Sequence, residues 1–306
     1  MRLFSPLKTQ EPRQERAGKR SGQRTGGTPE QPCIIETPKV TGGSGNRQKN
    51  RHENDYSRKG DNDGSYHVGT SGWHYRHWRG RYYPEDLPTG RWLQWYARDF
   101  DCVEVNNSFY RLPTVDAVRT WHAATPPGFS FAVKASRLIT HLKRLRRCEA
   151  ALESFFRVIE HFGDKLGPLL FQLPPRWRLD LARLRDFVGL LPPRHDYAFE
   201  FRDPTWHCEA VYRLLADHDL AFCQFDIAGR QSPLVVTARL IYIRLHGPGA
   251  LPYTGCYSRE QLAAWTGRIR EWVGQGHEVF VFFDNDQRAY SVANAKALAT
   301  LLAGFD

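Results

Sequence analysis

A closed parallel (β/α)8 barrel, an α/β fold, is what the sequence predicts, preceded by a disordered basic N-terminal tail. Three observations carry that expectation. Eight strand-like runs lie near residues 66–70, 101–106, 129–135, 168–173, 196–202, 220–226, 240–246 and 278–284. Helical patterns separate most of them, and strand–helix alternation implies a parallel sheet. Eight such units over about 240 residues match the usual size of a closed barrel. An open doubly wound sheet normally carries a Gly-rich phosphate fingerprint after its first strand. Here Gly69-Thr-Ser-Gly72 leads into aromatics instead.

The elements follow in order. Thr89 to Phe100 places Trp92, Trp95, Tyr96 and Phe100 at helical spacing. Val115 to Ala124 is a shorter helix. In Glu149 to Phe162, the residues Leu152, Phe155, Phe156 and Ile159 form one stripe. Leu179 to Leu191, Glu209 to Asp219, Ser258 to Gly274 and Ala289 to Ala303 complete the set. The link Ile227 to Ala238 is short and is the weakest candidate for a helix.

Residues 1–65 form the tail and residues 66–306 the barrel domain. The tail is rich in Gly, Pro, Gln, Arg, Lys and Asn, and holds 13 Lys or Arg against 8 Asp or Glu. Such a segment buries too little apolar surface to offset its ordering entropy. It reads as a dispensable tail, a nucleic-acid arm or an extension from an upstream start. The whole chain has 306 residues and a formal net charge of +10, which favours polyanionic partners. Cys33, Cys102, Cys148, Cys208, Cys223 and Cys256 are scattered without a Cys-x-x-Cys pair, so a reduced, cytoplasmic setting is expected. No apolar run is long enough to span a bilayer, and the N-terminus lacks the apolar core of a secretory signal.

Period-two reading sorts each strand into two faces. The helix-facing set comprises Val103, Val105, Phe131, Val133, Leu169, Phe171, Phe199, Phe201, Cys223, Phe225, Ile241, Ile243, Val279 and Val281. The other face starts on Cys102, Ala132, Leu170, Ala198, Phe222, Tyr242, Phe280 and Phe282. It ends on Glu104, Asn106, Lys134, Ser136, Gln172, Glu200, Arg202, Gln224, Asp226, Arg244, His246, Asp284 and Asp286. That is a packed floor under a polar rim at the C-terminal strand ends, where barrel enzymes keep their active sites.

Glu104 and Glu200 are the candidate acid and base, with His246 as proton shuttle and Asp226 as a further catalytic candidate. Lys134, Arg202 and Arg244 are candidate anion clamps, beside Asn106, Gln172 and Asn285. Trp73, Tyr75, Tyr110 and Trp206 are candidate stacking walls. Each has a plainer alternative. Arg202 pairs with Glu200 on its own strand, His246 bonds backbone, and the aromatics are loop packing. The charged set could also be an ion-pair plug, but burying such groups costs several kcal/mol per ion, so a leucine plug would be cheaper. No cofactor is predicted. A divalent metal on Asp226, Glu104, Asp284 and His246 is the alternative, without any compact ligand spacing to support it.

At these residues the chain resembles the YecE-like family, domain of unknown function seventy-two. The matching stretches are Gly69-Thr-Ser-Gly-Trp73 with Tyr75 and Trp78, Tyr82-Tyr-Pro84, Val103-Glu-Val-Asn106 and Phe109-Tyr-Arg-Leu-Pro113. They continue with Phe131-Ala-Val-Lys134, Leu170-Phe-Gln-Leu-Pro-Pro175, Glu200-Phe-Arg202 with Trp206, and Tyr242-Ile-Arg-Leu-His-Gly247. Phe283-Asp-Asn-Asp286 and Ala293-Asn-Ala295 close the set. The resemblance covers residues 66–304 and implies a TIM-like barrel, but no activity. Asp284 departs from the asparagine expected there, and the basic tail lies outside the family pattern.

The function expected is an enzyme with an acid–base pocket at the barrel mouth, acting on a small anionic substrate, phosphorylated or sugar-like. Hydrolase, lyase or isomerase chemistry fits. The alternatives are a nucleic-acid-binding or nucleic-acid-processing protein, with the tail adding affinity, and a non-catalytic ligand-binding barrel. No membrane association is expected. Substrate and oligomeric state are not readable from the sequence.

Overall fold

Residues 64–304 are described by the computed structural model. The tail expectation for residues 1–65 therefore falls, except for its last two positions, outside the described residues. The first strand opens at Ser65, one residue before its expected start.

Among the described residues, ten strands build two five-stranded sheets. They are β1 (Ser65–Thr70), β2 (Cys102–Val105), β3 (Ser130–Lys134), β4 (Leu166–Leu173), β5 (Tyr197–Phe201), β6 (Ala221–Phe222), β7 (Gln224–Ile227), β8 (Arg230–Gln231), β9 (Leu240–Leu245) and β10 (Glu278–Phe283). One sheet runs β1-β10-β9-β7-β8 and the other β2-β3-β4-β5-β6. All neighbours pair in parallel except the short β7–β8 hairpin. Between β6 and β7 the chain passes from one sheet to the other through a single residue, Cys223. At the far edge, an isolated parallel bridge joins Ser71, just past β1, to Glu104 of β2.

Seven helices lie between and after the strands among the described residues: α1 (Trp92–Tyr96), α2 (Val115–Ala123), α3 (Glu149–Ile159), α4 (Leu181–Val188), α5 (Glu209–Ala216), α6 (Arg259–Gly274) and α7 (Tyr290–Ala303). Local chemistry sets their starts. Thr114 and Asp180 cap α2 and α4 through side-chain oxygens. Ser258 and Gln261 form a reciprocal capping box at α6. The expected helix over 89–100 shrinks to one α-helical turn behind a 3-10 turn. The 227–238 link holds the β8 hairpin instead of a helix.

The helix-facing side chains named from the sequence, apart from those of the sixth run, lie in the large core between sheets and helices. A second, smaller apolar cluster fills the interior. Cys102, Ala132, Leu170 and Ala198 come from one sheet and Tyr242, Phe280 and Phe282 from the other. Both sheets therefore cover one dry floor, and the polar residues follow it toward the C-terminal strand ends.

The 220–226 run departs from expectation by one residue. Ala221 and Cys223 sit on the interior floor, whereas Phe222 belongs to the outer core. Phe222 packs edge-on to Tyr212 of α5, with ring centroids 5.3 Å apart. In register, Phe225 stands beside the inward Arg244, and Gln224 and Asp226 beside the outward Ile243 and Leu245. A strand buried on both faces offers no polar–apolar contrast to fix its parity. The bulky phenylalanine takes the roomy helix side, and the small thiol takes the crowded interior.

Candidate functional site

Arg244, on β9, is fully buried at the centre of the polar layer. Its Nε and Nη2 donate to Glu104 Oε2 and Oε1 at 2.9 and 2.7 Å. Nη1 donates to Glu200 Oε2 at 2.9 Å, and Nη2 also reaches Asp284 Oδ2 at 3.1 Å. Tyr242, two residues back on the same strand face, donates its hydroxyl to Glu104 Oε2 at 2.7 Å. Arg202 Nε bonds the other Glu200 oxygen. Every oxygen of the two glutamates thus accepts a charge-assisted hydrogen bond, the condition under which buried charges are tolerated.

His246 completes this side. Arg202 Nη2 lies 3.0 Å from its Nε2 and Arg244 Nη1 lies 3.4 Å away. A guanidinium only donates, so Nε2 accepts and the proton sits on Nδ1, which donates to Asp284 Oδ2 at 3.0 Å. Burial, then Arg244 and Arg202, hold the imidazole pKa well below its ordinary value. His246 is therefore neutral, with both nitrogens engaged. Burial alone would raise the Glu200 pKa, but Arg202, Arg244, His246 and Lys134 together press it far below the carboxylate range. Burial raises the Asp284 pKa, and the surrounding cations only partly offset that effect.

The opposite arc of the mouth is unsaturated. Lys134 ends β3 with 7% exposure. Its ammonium meets the Phe109 ring at 4.5 Å. Burial, then Arg244, bring its pKa down to about 8 against the pull of Glu104, Glu200 and Asp284. The β2–β3 register, with Val105 opposite Val133, carries Asn106 alongside Lys134. Asn106 Oδ1 is buried without a partner. So is Ser71 Oγ, on the interior face two residues past Gly69. Half-buried Gln172 stands next to Glu200 in register.

The sequence-derived candidates sort accordingly. Glu104, Glu200, Arg202, Arg244 and His246 come together in one network, with Lys134, Asn106 and Gln172 along the same rim. Asp226 turns away, because of the parity change in its strand, and faces Tyr257 of the outer core, with burial raising its carboxyl pKa. Asn285 also faces outward, donating to Gly255 O and Asn294 Oδ1, both at 2.9 Å. Trp73 is buried against Trp121, and Trp206 is fully buried between Phe201 and Trp177. Neither forms a wall, because large rings flanking a strand end fill the sheet–helix gap first. Tyr75 donates to Ser71 O at 2.6 Å, and Tyr110 is 69% exposed. The four residues named for a metal do not stand together as a set. A guanidinium stands between Glu104, Glu200 and Asp284, and Asp226 lies elsewhere. Among the described residues no group of three or more His, Cys, Asp or Glu is placed to hold a metal ion.

Ser71 is absent from the sequence-derived rim, and Asp286 stands on that rim without an assigned role. Both follow the same period-two signal, one past β1 and one past β10. Burial, then Asp284, raise the Asp286 carboxyl pKa to about 6. Its backbone oxygen accepts from His77 Nε2 at 2.7 Å. Next to it opens a cleft of 320 Å³ lined by His77, Arg81, Gln287 and Arg288.

Fold and site define an α/β protein with parallel sheets and a charge-paired polar layer at the C-terminal strand ends. The chain belongs to the DUF72 family, whose model, described as a protein of unknown function, matches residues 67–305. UPF0759 protein YecE of Escherichia coli K12 is 34% identical over 118 residues, covering 37% of this chain and 42% of YecE. The chain thus matches less than half the length of that relative. UPF0759 protein YunF of Bacillus subtilis is 26% identical over 263 residues, covering 72% of this chain and 89% of YunF. A DUF72 family protein of Thermotoga maritima superposes with TM-score 0.69 at 27% identity, over 78% of this chain and 99% of that one. One from Enterococcus faecalis gives TM-score 0.68 at 18% identity, over 78% and 95%, a likeness of fold alone. Among the described residues no helix is long and apolar enough to cross a membrane.

Proposed function

We propose that this DUF72 protein is a cytoplasmic enzyme that binds a small anionic substrate, phosphorylated or sugar-like, at the mouth of a closed (β/α)8 barrel. The passage at Cys223 and the Ser71–Glu104 bridge support closure, since they fall where the two sheet edges must meet. One observation carries the site. A nearly buried ammonium without a carboxylate partner shares its rim with the unpartnered Asn106 Oδ1, across from carboxylates already paired to guanidinium groups. An anion entering there meets Lys134 and leaves the Arg244 network intact. The glutamates then act as fixed electrostatic scaffolding, and proton transfer falls to Asp284, Asp286 and Lys134, whose pKa values are displaced toward neutrality. The test is thermal stabilisation by inorganic phosphate and by a panel of small phosphorylated and carboxylated compounds. Stabilisation that is lost in Lys134→Met supports the reading. Equal stabilisation of both proteins, or none of the wild type, refutes it.

A second reading, nucleic-acid binding, has its own support. Residues 137–147 carry Arg137, Lys143, Arg144, Arg146 and Arg147 without an acid. The four arginines are exposed, as are Leu138 and Leu142, and among the described residues none of the five forms an ion pair. His141, in this segment, is brought to a pKa of about 4 by burial and by Lys134, Arg137, Arg144 and Arg202. The basic segment thus overlooks the mouth, and single-stranded nucleic acid binding there would weaken steeply with salt.

A further inference from the structure

Four lysines fall among the described residues. Lys143 Nζ donates to Arg147 O, Lys165 Nζ to His122 O and to both oxygens of Thr125, and Lys296 pairs with Asp99. Lys134 alone among them has neither hydrogen bond nor ion pair. Three carboxylates share its rim, yet all are held by Arg244, Arg202 or His246. Arginine keeps its proton throughout the accessible pH range, while a desolvated lysine releases its own. The layer therefore divides its cations in two. The arginines are locked to carboxylates, and the lysine is left unanchored over the Phe109 ring, at the strand end next to that of the unpartnered Asn106.

We propose that Lys134 is a nucleophilic lysine that forms an imine with a small anionic carbonyl compound, a 2-oxo acid or a phosphorylated ketone or aldehyde, bound at this mouth. This rests on the anion-binding reading above and names its substrate class. The unprotonated amine adds to the carbonyl carbon. The nitrogen lone pair makes the C–N bond as the C=O π pair moves to oxygen, and one nitrogen proton passes to that oxygen through water at the rim. The resulting carbinolamine takes up one proton and expels water, leaving a protonated imine. No oxidant or reductant is consumed. Asn106 Oδ1, on the neighbouring strand end, supplies an acceptor for the carbinolamine hydroxyl, and Phe109 offers its ring face to the cation that remains. With a pKa near 8, about a tenth of Lys134 is free amine at pH 7.

The experiment is borohydride trapping with pyruvate, glyoxylate and dihydroxyacetone phosphate as probes, read by peptide mass spectrometry on wild type and Lys134→Arg. Arginine keeps the positive charge but cannot form the imine. We expect a reduced adduct on the Lys134 peptide of the wild type, at least tenfold above that on Lys143 or Lys296, and none in Lys134→Arg. The same variant should retain at least a third of the phosphate-induced thermal shift. A second measurement, the pH dependence of Lys134 acetylation, should have its midpoint near 8. An adduct spread evenly over the lysines, or no adduct with a midpoint in the ordinary lysine range, overturns the imine role. If phosphate binding persists in those cases, only this inference fails. If the wild type binds no anion, the broader reading fails with it.

Discussion

Glu104 of β2 grips Arg244 of β9 through two hydrogen bonds, at 2.7 and 2.9 Å, across a sequence separation of 140 residues. The two strands belong to different sheets, so this fully buried pair fastens one sheet to the other. Glu200, from the same sheet as Glu104, takes the remaining arm of the guanidinium. Removing Arg244 would strand two carboxylates in a dry layer. Arg244→Met should destabilise the fold by about 3–5 kcal/mol, read as a lower urea midpoint. Glu104→Gln combined with Arg244→Met should recover part of that loss. A double variant no better than the single one would show that the arginine acts through packing alone.

Lys134 imposes the opposite condition, a buried charge without a partner. Its folded pKa, about 8, lies below the ordinary lysine value. Below pH 8 both folded and unfolded chains hold the proton, and the folded state bears the full desolvation penalty. Between about 8 and 10.5 the unfolded chain binds more protons, so stability rises with pH across that window. Lys134→Met should be more stable than wild type at pH 7, on the order of 2 kcal/mol, with the difference shrinking by pH 10. Urea titrations at pH 7, 8.5 and 10 check this.

Asp286 titrates in the reverse sense. Its folded pKa, about 6, lies above the ordinary aspartate value. The folded state therefore binds the extra proton between about 4 and 6, and that stabilisation is lost as pH rises through 6. Asp286→Asn should flatten the stability profile over this window and leave it unchanged above pH 7. If Asp286 also transfers a proton to substrate, the variant should lose the acidic limb of the pH–rate profile once a substrate is known.

The basic segment before α3 gives a prediction that separates nucleic acid from a small anion. Replacing Arg144, Arg146 and Arg147 with Gln should lower affinity for a single-stranded oligonucleotide at least tenfold and reduce the salt slope by about two. Phosphate-induced stabilisation should not change. Oligonucleotide binding that is absent or insensitive to salt excludes the nucleic-acid reading.

The sequence by itself determined the positions of the main parallel strands, the inward or outward assignment of six of the seven runs it sorted, and the rim residues Glu104, Lys134, Glu200, Arg202, Arg244 and His246. Those came through because parallel strands alternate with period two, and polar residues at their C-terminal ends interrupt an otherwise apolar pattern. Only the tertiary structure decided the rest. It placed Cys223 inside and Asp226 outside, because a strand buried on both faces gives parity no polar contrast. It sent Trp73, Trp206 and Asn285 into packing, because what a loop side chain meets depends on distant elements such as Trp121, Trp177 and Asn294. It also decided which charges neutralise each other. Pairing depends on distances of about 3 Å between residues from 2 to 140 positions apart, and composition does not encode such distances. That pairing holds Glu104 and Glu200 fast and leaves Lys134 without a carboxylate partner.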